Sequence, residues 1–213
     1  MKSSQFLQAA IVTAMLAGGS VHATELVVNG SFEAIPVQPH TTRFFYIALP
    51  GWMPFDGPVE VRNDNDGVAA DGSNFVELDS DQNSGMYQDI STTAGQRYSL
   101  SFQYQDRVFQ PSFTQGLEVY WGGQLLTSVA SAQPWTTLTF DNLVGAAGST
   151  RLTFHAAGQS DSLGTSLDDV SVTAVPEPHS YAMMVLGLAM VGGVARRKRG
   201  ASPAGQFGHA RTA

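Results

Sequence analysis

The chain has 213 residues, 43% hydrophobic and 14% charged, which is room for one ordinary domain plus appendages. Its net charge of −7 hides an asymmetry, because Thr24 to Val175 holds 17 Asp and Glu against 5 Arg and no Lys, a balance of −12. So acidic a body repels phosphate backbones and speaks against nucleic acid as a partner, and the absence of cysteine excludes disulfides, thiolate nucleophiles and Cys-ligated metals.

Residues 1–23 read as a signal helix. Lys2 supplies the positive start, Ala9 to Gly18 is a short apolar core, and Val21-His22-Ala23 puts small residues at −3 and −1 of a cleavage site. Ala23 is therefore the expected last residue before the cut. From Leu26 to Thr173 the hydrophobic period is two. Tyr98, Leu100, Phe102 and Tyr104 alternate with polar neighbours, as do Leu117, Val119 and Trp121, then Leu138 and Phe140, then Leu152 and Phe154. Turn signals separate these runs at Ala94-Gly95, Trp121-Gly122-Gly123-Gln124, Gly145 to Gly148 and Asp161 to Gly164. Outside the termini no three-turn helix with an apolar stripe is visible.

The expected fold of residues 24–174 is therefore all-β, an antiparallel β-sandwich or jelly roll. Its predicted core is Val28, Phe32, Val76, Leu78, Leu100, Phe102, Leu138, Phe140, Leu152, Phe154, Val170 and Val172. Arg62 to Gly72, rich in Asp, fails the EF-hand register and reads as a flexible acidic turn.

Residues 175–199 have a different character. Val175-Pro176-Glu177-Pro178 precedes the uncharged run Tyr181 to Ala195, and Arg196-Arg197-Lys198-Arg199 closes the segment. At 1.5 Å per residue that run spans roughly 22 Å, a marginal transmembrane helix whose basic end stays cytoplasmic. Pro-Glu-Pro, weak span and Arg cluster together resemble the PEP-CTERM sorting signal of Gram-negative bacteria. The resemblance implies processing by an exosortase, transient anchoring in the inner membrane, and delivery to the cell surface or an extracellular polysaccharide matrix. Residues 200–213, rich in Gly, Ala and Pro, continue past the usual end of such tails and read as disordered.

A second resemblance covers the domain. Leu26-Val27-Val28-Asn29-Gly30-Ser31-Phe32-Glu33 opens it, Pro50-Gly51-Trp52, Phe75 to Asp79 and Gly95 to Phe102 follow, and Leu167 to Val172 closes it. This order is similar to the galactose-binding-like jelly rolls of carbohydrate-binding modules and DUF642-type surface proteins. The resemblance implies that the first and last strands adjoin, bringing Glu33 near Asp168 or Asp169 with carbonyls around Gly30, a set suited to one structural Ca²⁺. Asp79 is a weaker member of that set, and which of Asp168 and Asp169 points inward stays open.

Sugar stacking has two candidates, Trp121 before its Gly-Gly turn and Tyr46 in the Phe44-Phe45-Tyr46 cluster, whereas Trp52 and Trp135 are expected to pack in the core. His155 falls on the wet face of its strand. No nucleophile elbow, zinc-protease pair or phosphate loop occurs, so the sequence points away from catalysis. The expected function is a non-catalytic exported envelope or matrix protein associated with exopolysaccharide. The alternatives are a lectin-like module with a defined sugar site and, behind it, a glycan hydrolase.

Overall fold

A computed structural model describes residues 23–130 and 132–176, together with Gly187 and Ala189. Among the described residues eleven strands form two antiparallel sheets. They are β1 (Thr41–Phe45), β2 (Met53–Phe55), β3 (Val59–Asn63), β4 (Asn74–Glu77), β5 (Gly85–Thr92), β6 (Arg97–Gln105), β7 (Leu117–Trp121), β8 (Gln124–Val129), β9 (Thr136–Val144), β10 (Gly148–Ala156) and β11 (Ser166–Ala174). One sheet runs β1-β3-β4-β11-β6-β9 and the other β2-β5-β10-β7-β8. Among the described residues from 23 to 176 the only helical turn is a 3-10 turn at Ser112–Thr114.

Alternation places the core between the sheets. Tyr98, Leu100, Phe102 and Tyr104 of β6 face Leu152, Phe154 and Ala156 of β10, and all are buried. Phe102 meets Phe154 edge to face, with ring centroids 5.2 Å apart. The turn between β7 and β8 needs two left-handed residues, and Gly122 (φ 57°) and Gly123 (φ 81°) supply them.

Nine of the twelve predicted core residues are buried. Val28 is 61% exposed, and Val27 is buried in its place. The opening segment meets β11 through the Glu25–Thr173 bridge, the bond from the Leu26 N–H to the Val172 carbonyl, the Glu25 carboxylate, which accepts from Ser171 and Val172, and the Gly30 carbonyl, which accepts the Val170 amide. The Val28 amide and carbonyl instead pair with the side chain of Gln88. A one-residue difference in register turns the other face inward. Leu138 and Phe140 pack against the core while remaining partly exposed.

The outer face of the six-stranded sheet is also covered. Arg62, Phe75, Glu77 and Asp168 point away from the main core yet are fully buried. The acidic 64–73 segment lies over them and is pinned there. The Glu33 carboxylate accepts the Ser73 and Asn74 amides, Asp168 accepts those of Ala70 and Asp71, and Arg107 reaches Asp66 at 2.7 Å. The expected flexible acidic turn is thus an ordered flap held by three side chains.

Of the terminal expectations, the signal helix, the Tyr181–Ala195 span as a continuous helix, Glu177, Pro178, Arg196, Arg197, Lys198, Arg199 and residues 200–213 lie outside the described residues. Among the described residues no helix is long and apolar enough to cross a membrane. Ala23 and Pro176 are both exposed. Pro176 follows the last bond of the sandwich, from the Val175 amide to the Arg97 carbonyl.

Candidate functional site: an aromatic cleft on the five-stranded sheet

Pairing across β2, β5, β10 and β7 lines up two rows of outward-facing residues. Phe55, Gly85, His155 and Glu118 form one row, and Met53, Tyr87, Thr153 and Tyr120 the next. Gly85 decides the shape of the first row. A Cβ there would lie 2.2 Å from Phe55 Cζ, so only a missing side chain lets the Phe55 ring cross β5. Phe55 then stacks on His155 (centroids 5.7 Å apart, planes at 26°) and leans on Tyr87 at 6.2 Å. On its other side Tyr87 carries the Arg151 guanidinium 3.7 Å above its ring, and Asp89 holds that guanidinium by two hydrogen bonds of 2.8 and 2.9 Å.

Beside this aromatic run lies a cleft of about 370 Å³ lined by Phe55, Asp56, Glu118, Tyr120, Gly123, Thr153 and His155. The Tyr120 hydroxyl donates to Glu118, which raises the Tyr120 pKa above its ordinary value. A second hollow, about 460 Å³, opens on the far side of Tyr87 between Met53, Gln88 and Asp89. Flat rings beside carboxylates, a hydroxyl and an imidazole suit a ligand with apolar faces and a hydroxyl rim.

Neither sugar-stacking candidate belongs to this cleft. Trp121 is corrected from exposed to buried, at 6% exposure: its ring packs against Tyr98 and its Nε1–H donates to the Val144 carbonyl. The Gly-Gly turn follows the tryptophan without lifting its side chain out, because the parity of β7 points Trp121 inward with Val119. Tyr46 is 63% exposed, but it follows the edge strand β1 of the opposite sheet. Trp52 is buried, as expected, and half-buried Trp135 packs edge-on against Phe75. Glu118, Tyr120, Thr153 and His155 were already on the wet face by alternation; only the order β2-β5-β10-β7 brings them together with Phe55.

The residues expected around calcium fall into two separate places. Gly30 and Glu33 do lie beside the last strand, since the Val170 amide donates to the Gly30 carbonyl. Glu33 and Asp168 both grip the flap, but they do so through backbone amides. A bulge between Asp168 and Ser171, with Asp169 at φ 48°, buries Asp168 and leaves Asp169 exposed against Gln103. Burial pushes Asp168 up to about 7, against the pull of three backbone N–H donors. Among the described residues no three Asp, Glu or His side chains are grouped to hold a metal. With Glu33 and Asp168 given over to amides, and Asp169 turned outward, the residues around Gly30 do not fit a six-oxygen cage. Asp79 is not part of this neighbourhood at all; its carboxylate accepts the Asp161 and Ser162 amides at the opposite loops.

Comparison with known proteins bears on the tail first. Residues 174–199 match the PEP-CTERM protein-sorting motif. The chain carries a PEP-CTERM sorting signal. The chain is 32% identical over 170 residues to the multifunctional-autoprocessing repeats-in-toxin of Vibrio cholerae serotype O1, covering 77% of this chain. It is 32% identical over 153 residues to the Vibrio vulnificus toxin of the same name, covering 70% of this chain. In each case the chain spans about 3% of the toxin's length. Among solved structures it is similar to TmCBM61 in complex with beta-1,4-galactotriose, with 15% identity, 72% of this chain and 100% of that one covered, and a TM-score of 0.48. A native family 35 carbohydrate-binding module from Clostridium thermocellum gives 15% identity, 63% and 99% coverage, and a TM-score of 0.44.

Proposed function

We propose that this is an exported, exosortase-processed envelope or extracellular-matrix protein of a Gram-negative bacterium, non-catalytic, that holds extracellular polysaccharide in the cleft of its five-stranded sheet. The sorting motif supports the first part: the sandwich lies outside, the C-terminal segment rests transiently in the inner membrane, and exosortase acts near Pro176-Glu177-Pro178. The observation that carries the second part is the Phe55–His155–Tyr87 run flanked by Asp56, Glu118 and Tyr120. It favours a defined sugar site over unspecific association. A pyranose laid on Phe55 has hydroxyl-binding groups within the same cleft.

The test is affinity electrophoresis of the purified protein in gels carrying galactan, mannan, xylan or the producing cell's own exopolysaccharide. Retardation by at least one glycan that weakens about tenfold in Phe55→Ala and Tyr120→Phe, a loss of roughly 1.4 kcal/mol, supports the site. Retardation unchanged in both variants moves glycan binding elsewhere, and no retardation by any glycan removes the reading. Release of reducing ends from a bound glycan would replace it with hydrolysis.

A further inference from the structure

The loop between β4 and β5 has a feature the cleft does not use. It reads Asp79-Ser80-Asp81-Gln82-Asn83, with oxygen-bearing side chains at its first, third and fifth positions. That is the spacing with which one-turn calcium loops present their ligands. Facing it is the loop between β10 and β11. The Asp161 amide lies 3.0 Å from Asp79 Oδ2, the Ser162 amide 3.1 Å from the same oxygen, and the Asn83 amide 3.0 Å from Ser160 Oγ. Asp79 and Asn83 are themselves bridged across the turn.

Three acceptor oxygens in this cluster are buried without a hydrogen-bond donor: Asp79 Oδ1, Asn83 Oδ1 and Asp161 Oδ1. The Asp79 side chain is fully buried, so its free oxygen has no route to bulk solvent. Orphaned buried acceptors cost about 1–3 kcal/mol each, more when charged, and all three here are of one kind. Donors would be needed to satisfy them from the protein; a hard cation satisfies them together. The two backbone amides on Asp79 Oδ2 orient the carboxylate and leave Oδ1 without a donor, the role an outer shell plays for a metal ligand.

We propose that Asp79, Asn83 and Asp161 bind a calcium ion, with backbone carbonyls of the two loops and water completing an oxygen shell. Two carboxylates and an amide are hard ligands in a loop setting, which suits Ca²⁺ over the smaller, more exacting Mg²⁺. An exported protein meets calcium at the millimolar level at which extracellular modules of this kind are tuned. The site joins the β4–β5 turn to the β10–β11 loop. Within it, Gln82 donates to the Asp56 carbonyl at the rim of the cleft.

The test uses the purified full chain, stripped with EDTA and titrated with CaCl₂ by calorimetry and thermal unfolding. One equivalent of Ca²⁺ should bind and raise Tm by roughly 4 °C at twenty times Kd. Asp161→Asn, which keeps size and the backbone amide, should weaken binding at least tenfold and abolish the rise while leaving Tm in EDTA within a degree of wild type. Glu33→Gln should retain both the binding and the rise. Identical melting with and without calcium together with no binding heat overturns the site. So does a calcium response that survives Asp161→Asn, and so does one that is lost only in Glu33→Gln.

Discussion

Replacing Arg62 with Met should be among the most damaging single changes in the sandwich. The Arg62 side chain is wholly buried on the covered outer face of the six-stranded sheet, 2.8 Å from Glu60 Oε2 and 2.6 Å from Glu77 Oε2. Burial alone would lower its pKa, but Glu77 and Glu60 more than reverse that, so the guanidinium stays charged. Methionine fills much of the same volume, so the cost is mainly electrostatic. It leaves Glu77, 0% exposed, with only the Gly164 amide at 2.8 Å and Arg107 at 3.6 Å. Breaking a buried pair by removing one partner costs about 3–5 kcal/mol. The residual partners of Glu77 place this case near the lower end, about 3 kcal/mol, or a fall in Tm of roughly 6–12 °C for a chain of this size. Urea unfolding of Arg62→Met, Glu77→Gln and the double variant measures the coupling directly. The double variant should be less destabilised than the sum of the singles by about 2 kcal/mol, since Gln needs no counter-charge. An Arg62→Met variant within 1 kcal/mol of wild type, or a coupling near zero, would refute the view that Arg62 neutralises Glu77.

Gly85→Ala should leave the sandwich folded but push Phe55 off β5, lowering glycan retardation about as much as Phe55→Ala does; equal retardation by wild type and variant would show that the Phe55 position is immaterial. Trp121→Ala should cost about 3–5 kcal/mol in chemical denaturation without changing glycan affinity per folded molecule, because its ring is core; a selective loss of affinity would return Trp121 to the sugar site. Asp168 is raised from 3.8 to about 7, so its share of stability is full below pH 4 and lost as pH rises through 7. The unfolding free energy should therefore fall over that window, by up to about 1.4 kcal/mol per pH unit, more steeply in wild type than in Asp168→Asn; parallel pH profiles would count against it. Deleting residues 176–199 should shift the domain from membrane to soluble exported fractions, and persistence on the membrane in fractionation would sink the anchor.

Much of this protein was legible along the chain. The strands β6, β7, β9 and β10 are written in alternation because a sheet has one buried and one wet face, and burial acts on every second residue. The sorting segment is legible for a similar reason: its parts act in sequence order, and their chemistry needs no distant partner. Alternation also puts Glu118, Tyr120, Thr153 and His155 on the wet face, but it says nothing of which strands are neighbours. Only the pairing of β10 between β5 and β7 makes those residues a cleft, and only the missing side chain of Gly85 lets Phe55 reach His155. Where local signals misled, the tertiary structure overrode them by one residue or one parity. Val28 gave way to Val27 because the opening segment pairs with the Gln88 side chain, and Trp121 turned inward with its strand despite the turn beside it. The bulge at Asp169 decided which of two adjacent carboxylates is buried, and loop packing carried Asp79 away from Glu33 to meet Asp161. Residue type and spacing determine what a segment can form. Which oxygens and rings end up within 3–6 Å of each other depends on contacts made across 60 to 82 residues of chain, and only the folded sandwich closes those distances.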